Sequence, residues 1–363
     1  MLRRRRYGGA ILLAVVMILM FRVGHRVVSG QTIRQRIQER RAVAREDKVT
    51  PRGPASCGST LNVGFRITTF STGLVAAVWY PTKAGEAPFH YADYLATAVA
   101  EGAPVADCSQ YPLVVFSHGF GGCGTQSVFF TEALARAGYV VVAPDHKDSK
   151  CKVDQPRSLG GFFQRADEPF RDPEKWDDRT YRNRKDDIEV VLNEIVNDPV
   201  VGAQINREAI GGAGHSLGGY TVAGMAGAWP SWKDERIKAA LLMSPYIEPF
   251  LSKGTFHSMK VPVMYQGGTR DRGITPSLEK AGGAYDASNS PKFFVKFPDA
   301  GHLGWTIMTC QKAGTTDSCN ATVPLARLID QYGIAFFDRY LKGQSEAVLD
   351  SPNPQLADLR HND

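Results

Sequence analysis

The sequence predicts an α/β fold: an eight-stranded, mostly parallel sheet with helices on both faces. Three observations carry this. Eight short apolar runs recur along the chain, "LNVGFRITTF", "LVAAVWYP", "PLVVFSHG", "YVVVAPDH", "AIGGAGHS", "KAALLMSP", "VPVMYQGG" and "KFFVKFPDAGH". They are rich in branched residues and end in glycine, proline or polar residues, as strands buried on both faces do. Helical patterns lie between the later runs, which argues for parallel pairing. One junction, "AIGGAGHSLGGYTV" (209–222), runs from a strand through a glycine cluster into a small-residue helix.

The N-terminus stands apart from this pattern. The chain has 363 residues and a formal charge of +6, but residues 1–48 hold 12 Lys/Arg against 3 Asp/Glu. The remainder holds 31 against 34, so the folded part has none of the basic excess that nucleic-acid binding requires. Four arginines precede an uncharged, largely apolar run of 15 residues from Tyr7 to Phe21. Residues 1–30 therefore read as a signal peptide or an N-terminal membrane anchor. Both readings export the rest of the chain, and the second gives membrane contact through this segment. Residues 31–56 read as a basic, polar linker.

A catalytic domain is expected over 57–345, with 346–363 as a C-terminal tail. The first two strands form an early pair separated by "STG". "SVFFTEALARAG" reads as a helix capped by Gly138. Residues 147–187, after the fourth strand, are charged and proline-containing, with scattered aromatics (Phe162, Phe163, Phe170, Trp176, Tyr181). Irregular chain of that length inside a compact domain reads as a lid or rim. "DDIEVVLNEIVND" carries an apolar stripe of Ile188, Val191, Leu192, Ile195 and Val196. "LARLIDQYGIAFFDRYLKG" is a further helix.

Six cysteines in an exported domain suggest disulfides. Cys310 and Cys319 bracket a polar loop and are the favoured pair. Cys123–Cys151 and Cys57–Cys108 complete the set without support from spacing. No C-x-x-C is present, so neither a redox dithiol nor a zinc ribbon is indicated.

Gly214-His215-Ser216-Leu217-Gly218 fits G-x-S-x-G, in which a serine sits on a sharp strand-to-helix turn. A dinucleotide loop would need G-x-G-x-x-G, and from Gly212 the sixth position is Leu217. A serine hydroxyl is a poor nucleophile at neutral pH. It needs a base, an acid to orient the base, and donors for the developing oxyanion. His302, in the glycine-flanked loop after the last strand, is the candidate base. Asp271, after the seventh strand, is the candidate acid, with Glu248 as fallback and Asp299 too close to His302 in sequence. The bland reading of Asp271 is an ion pair with Arg270 or Arg272. "FSHGFGGCG" (116–124) ends the third strand, and the backbone N–H groups of Phe120 and Leu217 are the candidate oxyanion donors. His215, beside the serine, is expected to point elsewhere. Phe129, Tyr246 and Trp305 are expected near the mouth or in the core. There is no H-E-x-x-H and the histidines are scattered, so neither a metal site nor a cofactor is expected.

In these segments the chain resembles the α/β-hydrolase superfamily. Within it, the sequence is similar to dienelactone-hydrolase-like and platelet-activating-factor-acetylhydrolase-like serine esterases. The resemblance rests on "FSHGFGG", "GYVVVAPDHKDS", "RKDDIEVVLNEI", "GHSLGGYT", "GGTRD" and "AGHLGW" and spans residues 57–345. It implies a Ser216–Asp271–His302 triad, no metal or organic cofactor, and a small-molecule or lipid-like ester as substrate. True dienelactone hydrolases carry cysteine where this chain has Ser216. Acyl transfer, thioester hydrolysis and a catalytically silent binding fold are the alternatives.

Overall fold

Branched and aromatic residues buried on both faces build the centre of the sheet. The computed structural model describes residues 61–91, 95–108, 110–153 and 168–363. The expected signal or anchor, the linker, Cys57, Phe162 and Phe163 lie outside the described residues. Eleven strands form one sheet among the described residues. They are β1 (Asn62–Thr69), β2 (Val75–Thr82), β3 (Ala87–Tyr91), β4 (Leu95–Glu101), β5 (Tyr111–Ser117), β6 (Val140–Pro144), β7 (Ile205–His215), β8 (Ile237–Met243), β9 (Val263–Gly268), β10 (Lys292–Phe297) and β11 (Asp358–Asn362). Their order is β11-β10-β9-β8-β7-β5-β6-β2-β1-β4-β3. Strands β5 to β10 pair in parallel, while β2 joins β6 and β11 joins β10 antiparallel.

All eight expected strands are present, and the sheet exceeds the expected eight by three. The hairpin β3–β4 was missed because β4 is Ala-rich, so the alternation of buried Thr97 and Val99 with half-buried Ala96 and Ala98 is faint. The last residues of the segment expected as a C-terminal tail form the third additional strand, the edge strand β11. Its sequence, "DLRHN", carries no apolar signal, as suits an edge strand whose charges discourage further pairing.

Helices cover both faces, as expected. They include α1 (Val128–Arg136), α2 (Arg182–Glu194), α3 (Leu217–Ala223) and α4 (Pro324–Lys342). Along β5 the side chains alternate between layers. Val114 and Phe116 pack with Phe129, Leu134 and Phe336 beneath α1 and α4. Leu113 and Val115 pack with Ile188, Val191, Leu192 and Ile195 beneath α2. Strands buried this way lack polar alternation, which is why they read as continuous apolar runs. The crossover connections carry the C-terminal ends of β5, β7, β9 and β10 to one edge, where loops in such sheets build sites.

Cys123–Cys151 and Cys310–Cys319 are disulfides. The first ties the loop after β5 to the loop after β6. Among the described residues no helix is long and apolar enough to cross a membrane.

Candidate active site

Ser216 stands between the end of β7 and the start of α3, with φ 54 and ψ −117. That left-handed conformation is costly for a residue with a Cβ and persists only where its surroundings enforce it. Here Ser216 N–H donates to Met243 O at 3.0 Å, and Ser216 O accepts from Tyr246 N–H at 3.0 Å and Tyr220 N–H at 3.2 Å. The flanking glycines are required by close approach. A methyl on Gly214 would stand 2.3 Å from Gly218 O, and one on Gly218 would stand 1.8 Å from Ser117 O. The elbow is thus pressed against the end of β5.

His302 opens a short helical turn after β10. Its Nε2 lies 3.0 Å from Ser216 Oγ and its Nδ1 lies 3.0 Å from Asp271 Oδ2. Asp271 follows β9 in a turn closed by its own N–H to Gly268 O. Its side chain is 3% exposed, while that of His302 is 36% exposed, so His302 faces solvent and Asp271 does not. Burial pushes the Asp271 carboxyl up, but hydrogen bonding to His302, the charge on His302 and the bond from Ser244 outweigh it. The net effect holds the group below the usual carboxylate range. A depressed folded-state pKa means that the ionised carboxylate stabilises the fold above the ordinary range. That contribution is lost as pH falls through the lowered value.

The competing acids are occupied elsewhere. Asp299 pairs with Arg270 at 2.7 Å on an exposed rim, and Glu248 accepts from Ser277. The side chains of Ser216, His302 and Asp271 are therefore the three that meet. His257 Nδ1 bonds Gly254 O, and His361 lies on β11 against Phe293.

Sequence reasoning missed three supports. Ser244, buried at the end of β8 with φ 42, donates its hydroxyl to Asp271 Oδ2. Its oxygen is 2.9 Å from His302 Nδ1, so it can accept from the same Nδ1–H that donates to Asp271. A serine after a strand reads as a turn residue, and only its position across from Asp271 reveals more. The second support is His215. Burial, then the nearby His302, pushes it down to about 3, so it is neutral. Its Nε2–H donates to His302 O at 2.8 Å, and its Nδ1 accepts from Gln126 Nε2–H at 3.1 Å. Gln126, the third, accepts from Gly119 N–H at 2.9 Å. One relay of hydrogen bonds thus joins the loop after β5 to the backbone of His302.

The loop with Phe120 lies beside the serine. A methyl on Gly119 would stand 3.4 Å from Ser216 Cβ. Leu217 is the first residue of α3, where N–H groups have no acceptor within the helix. The expected mouth aromatics divide. Phe129 is fully buried in the core, and Trp305 is buried with its Nε1–H on Gln266 Oε1 at 2.8 Å. Tyr246 is half-buried in a cluster with Phe120, Phe170, Trp176 and Tyr181. Phe170 and Tyr181 come from the insertion; Phe170 stands 5.4 Å from Phe120 and 5.0 Å from Tyr246, ring to ring.

Loss of the Ser244 hydroxyl makes Asp271 easier to protonate. Ser244→Ala is expected to lower kcat/KM for an ester about tenfold, the scale of one hydrogen bond to a charged group. The acid side of the kcat/KM–pH profile is expected to move to higher pH. A profile that overlays that of the parent chain would contradict this.

A family model described as platelet-activating factor acetylhydrolase, isoform II, matches residues 68–176. That span holds the loop with Phe120 and ends before Ser216. A comparison with curated protein sequences finds no match. Among solved structures, a ferulic acid esterase from Streptomyces cinnamoneus is similar to this chain, with a TM-score of 0.57 and 21% sequence identity. The alignment covers 84% of this chain and 96% of that one. The chain has the α/β-hydrolase fold.

Proposed function

We propose that the chain is a serine hydrolase of carboxylic esters, working through an acyl-enzyme on Ser216. The observation that carries this reading is the unbroken contact from Ser216 Oγ through His302 to Asp271, at a serine held with φ 54. His302 Nε2 takes the hydroxyl proton as Ser216 Oγ attacks the ester carbonyl. The carbonyl oxygen becomes an oxyanion facing the N–H groups of Phe120 and Leu217. Each such donor is worth about 3–4 kcal/mol in the transition state. The tetrahedral species collapses, the carbon–oxygen bond to the alcohol breaks, and His302 returns its proton to the leaving oxygen. Water then attacks the acyl carbonyl as His302 takes its proton; the bond to Ser216 Oγ breaks, His302 returns the proton to Oγ, and the carboxylic acid leaves. Asp271 accepts the Nδ1–H hydrogen bond throughout and, as a carboxylate, stabilises the imidazolium.

A small or lipid-like ester is the substrate class this reading takes. The half-buried rings of Phe120, Phe170 and Tyr246 favour an apolar group beside the nucleophile. The family model named for an acetylhydrolase and the likeness to a ferulic acid esterase support ester chemistry. Export through the N-terminal segment belongs to the same reading, and the Cys123–Cys151 and Cys310–Cys319 disulfides are what an oxidising compartment permits.

The full-length chain, produced in an oxidising compartment, is expected to hydrolyse p-nitrophenyl esters in a chain-length-dependent way. Acid quenching during turnover is expected to trap one acyl group on the peptide that contains Ser216. A folded chain that turns over none of these esters would contradict the reading.

A further inference from the structure

The insertion after β6 is fastened at both ends beneath the loop with Phe120. The two ends are Asp148 and Arg184. Arg184 is fully buried, and its guanidinium grips Asp148 with Nε to Oδ1 at 2.9 Å and Nη2 to Oδ2 at 2.7 Å. Its remaining N–H groups reach the loop itself. Nη1 donates to His118 O at 2.7 Å and to Ser117 Oγ at 3.4 Å, and Nη2 donates to Gly119 O at 3.2 Å.

Gly119 O has two more donors. Gly122 N–H reaches it at 3.0 Å, and His118 Nδ1 lies 2.7 Å away. His118 Nε2 accepts from His146 N–H at 3.1 Å and lies 2.8 Å from Ser149 Oγ. A neutral imidazole carries one proton, so that proton is on Nδ1 and points at Gly119 O. Burial, with Arg184 and His146 adding to it, pushes His118 well below its ordinary value and keeps it neutral.

Gly119 C=O and Phe120 N–H are opposite ends of one trans peptide plane. Three donors on the oxygen fix the direction of the N–H and polarise it. On the other side of Phe120, Gly121 N–H donates to Asp148 Oδ2 at 3.3 Å. The planes before and after Phe120 are both held by this one ion pair.

We propose that Arg184, oriented by Asp148, is a positioning residue that aims and polarises the Phe120 N–H at the oxyanion of the ester hydrolysis. This rests on the reading of Phe120 as an oxyanion donor. It also gives the insertion a role, because its two ends close the loop on which the oxyanion site depends.

The test uses Arg184→Gln, Arg184→Lys, Arg184→Ala and Asp148→Asn in the full-length chain, with p-nitrophenyl acetate as substrate. Folding is checked by near-ultraviolet circular dichroism. Arg184→Gln is expected to lower kcat about a hundredfold, the scale of one oxyanion donor, with KM unchanged. Arg184→Lys keeps the charge without the fork and is expected to fall between. Added guanidinium ion is expected to restore part of the kcat of Arg184→Ala, and the affinity of a trifluoromethyl ketone is expected to fall in step with kcat. A merely structural role would not give that rescue or that parallel. Removing one member of a buried ion pair is destabilising, so if Arg184→Gln does not fold, Arg184→Lys and Asp148→Asn decide by the same readouts. A folded variant with the parent's kcat would overturn the inference. A parent chain whose Ser216 does not react with a fluorophosphonate would overturn the underlying reading instead.

Discussion

Ser216→Ala is expected to lower kcat for an ester by about 10⁶-fold while leaving the fold intact. The hydroxyl is the only atom removed, and the backbone bonds that hold the elbow, from Ser216 N–H to Met243 O and from Tyr246 N–H to Ser216 O, remain. Alanine tolerates φ 54 little worse than serine does, so the strain is nearly unchanged. His302→Ala is expected to cost a similar factor, because an unassisted hydroxyl is a poor nucleophile. The double variant should be no worse than either single one, since nucleophile and base act as a unit. Steady-state kinetics on the three variants check this. A double variant whose loss is the product of the single losses would mean that the two residues act independently.

Gly218→Ala is expected to have the largest effect on stability. Its new methyl would stand 1.8 Å from Ser117 O and 2.8 Å from His118 O. Both are backbone atoms, and Ser117 and His118 are fully buried. β5 is paired with β7 out to Ser117 and with β6 out to Val115, so its end has little room to retreat. The elbow would have to move away from the loop with Phe120. A loss of more than about 4 kcal/mol, or failure to fold, is expected. Urea unfolding of the parent chain and the variant measures it. A folded variant within about 1 kcal/mol of the parent would show that the elbow has slack the packing does not suggest.

The parts of the site legible in the sequence are those whose chemistry demands a residue type in a given chain order. Ser216, Asp271 and His302 each follow a buried strand, and the three side chains meet in space. Gly214 and Gly218 were legible because only glycine allows that approach. The supports were not legible. Ser244 looks like any turn serine, and Asp148 and Arg184 are two charges among many in a charged insertion. Their significance lies in contacts across 36 residues of chain, and spacing does not report these. His215 was expected to point away from the serine; its bond to the His302 backbone depends on a tautomer that only the fold selects. For the aromatics, the sequence could not separate core from mouth. Phe129 and Trp305 are as apolar as Tyr246, and layer geometry alone sent them inward. The edge strand β11 was lost because an exposed strand needs no apolar face.

The most direct test of an activated Ser216 is covalent labelling. The full-length chain, with its disulfides intact, is treated with a fluorophosphonate and mapped by peptide mass spectrometry. One adduct on Ser216 is expected, absent in Ser216→Ala and formed far more slowly in His302→Ala. A folded, disulfide-intact chain that gains no adduct, or gains it at another serine, would contradict the account.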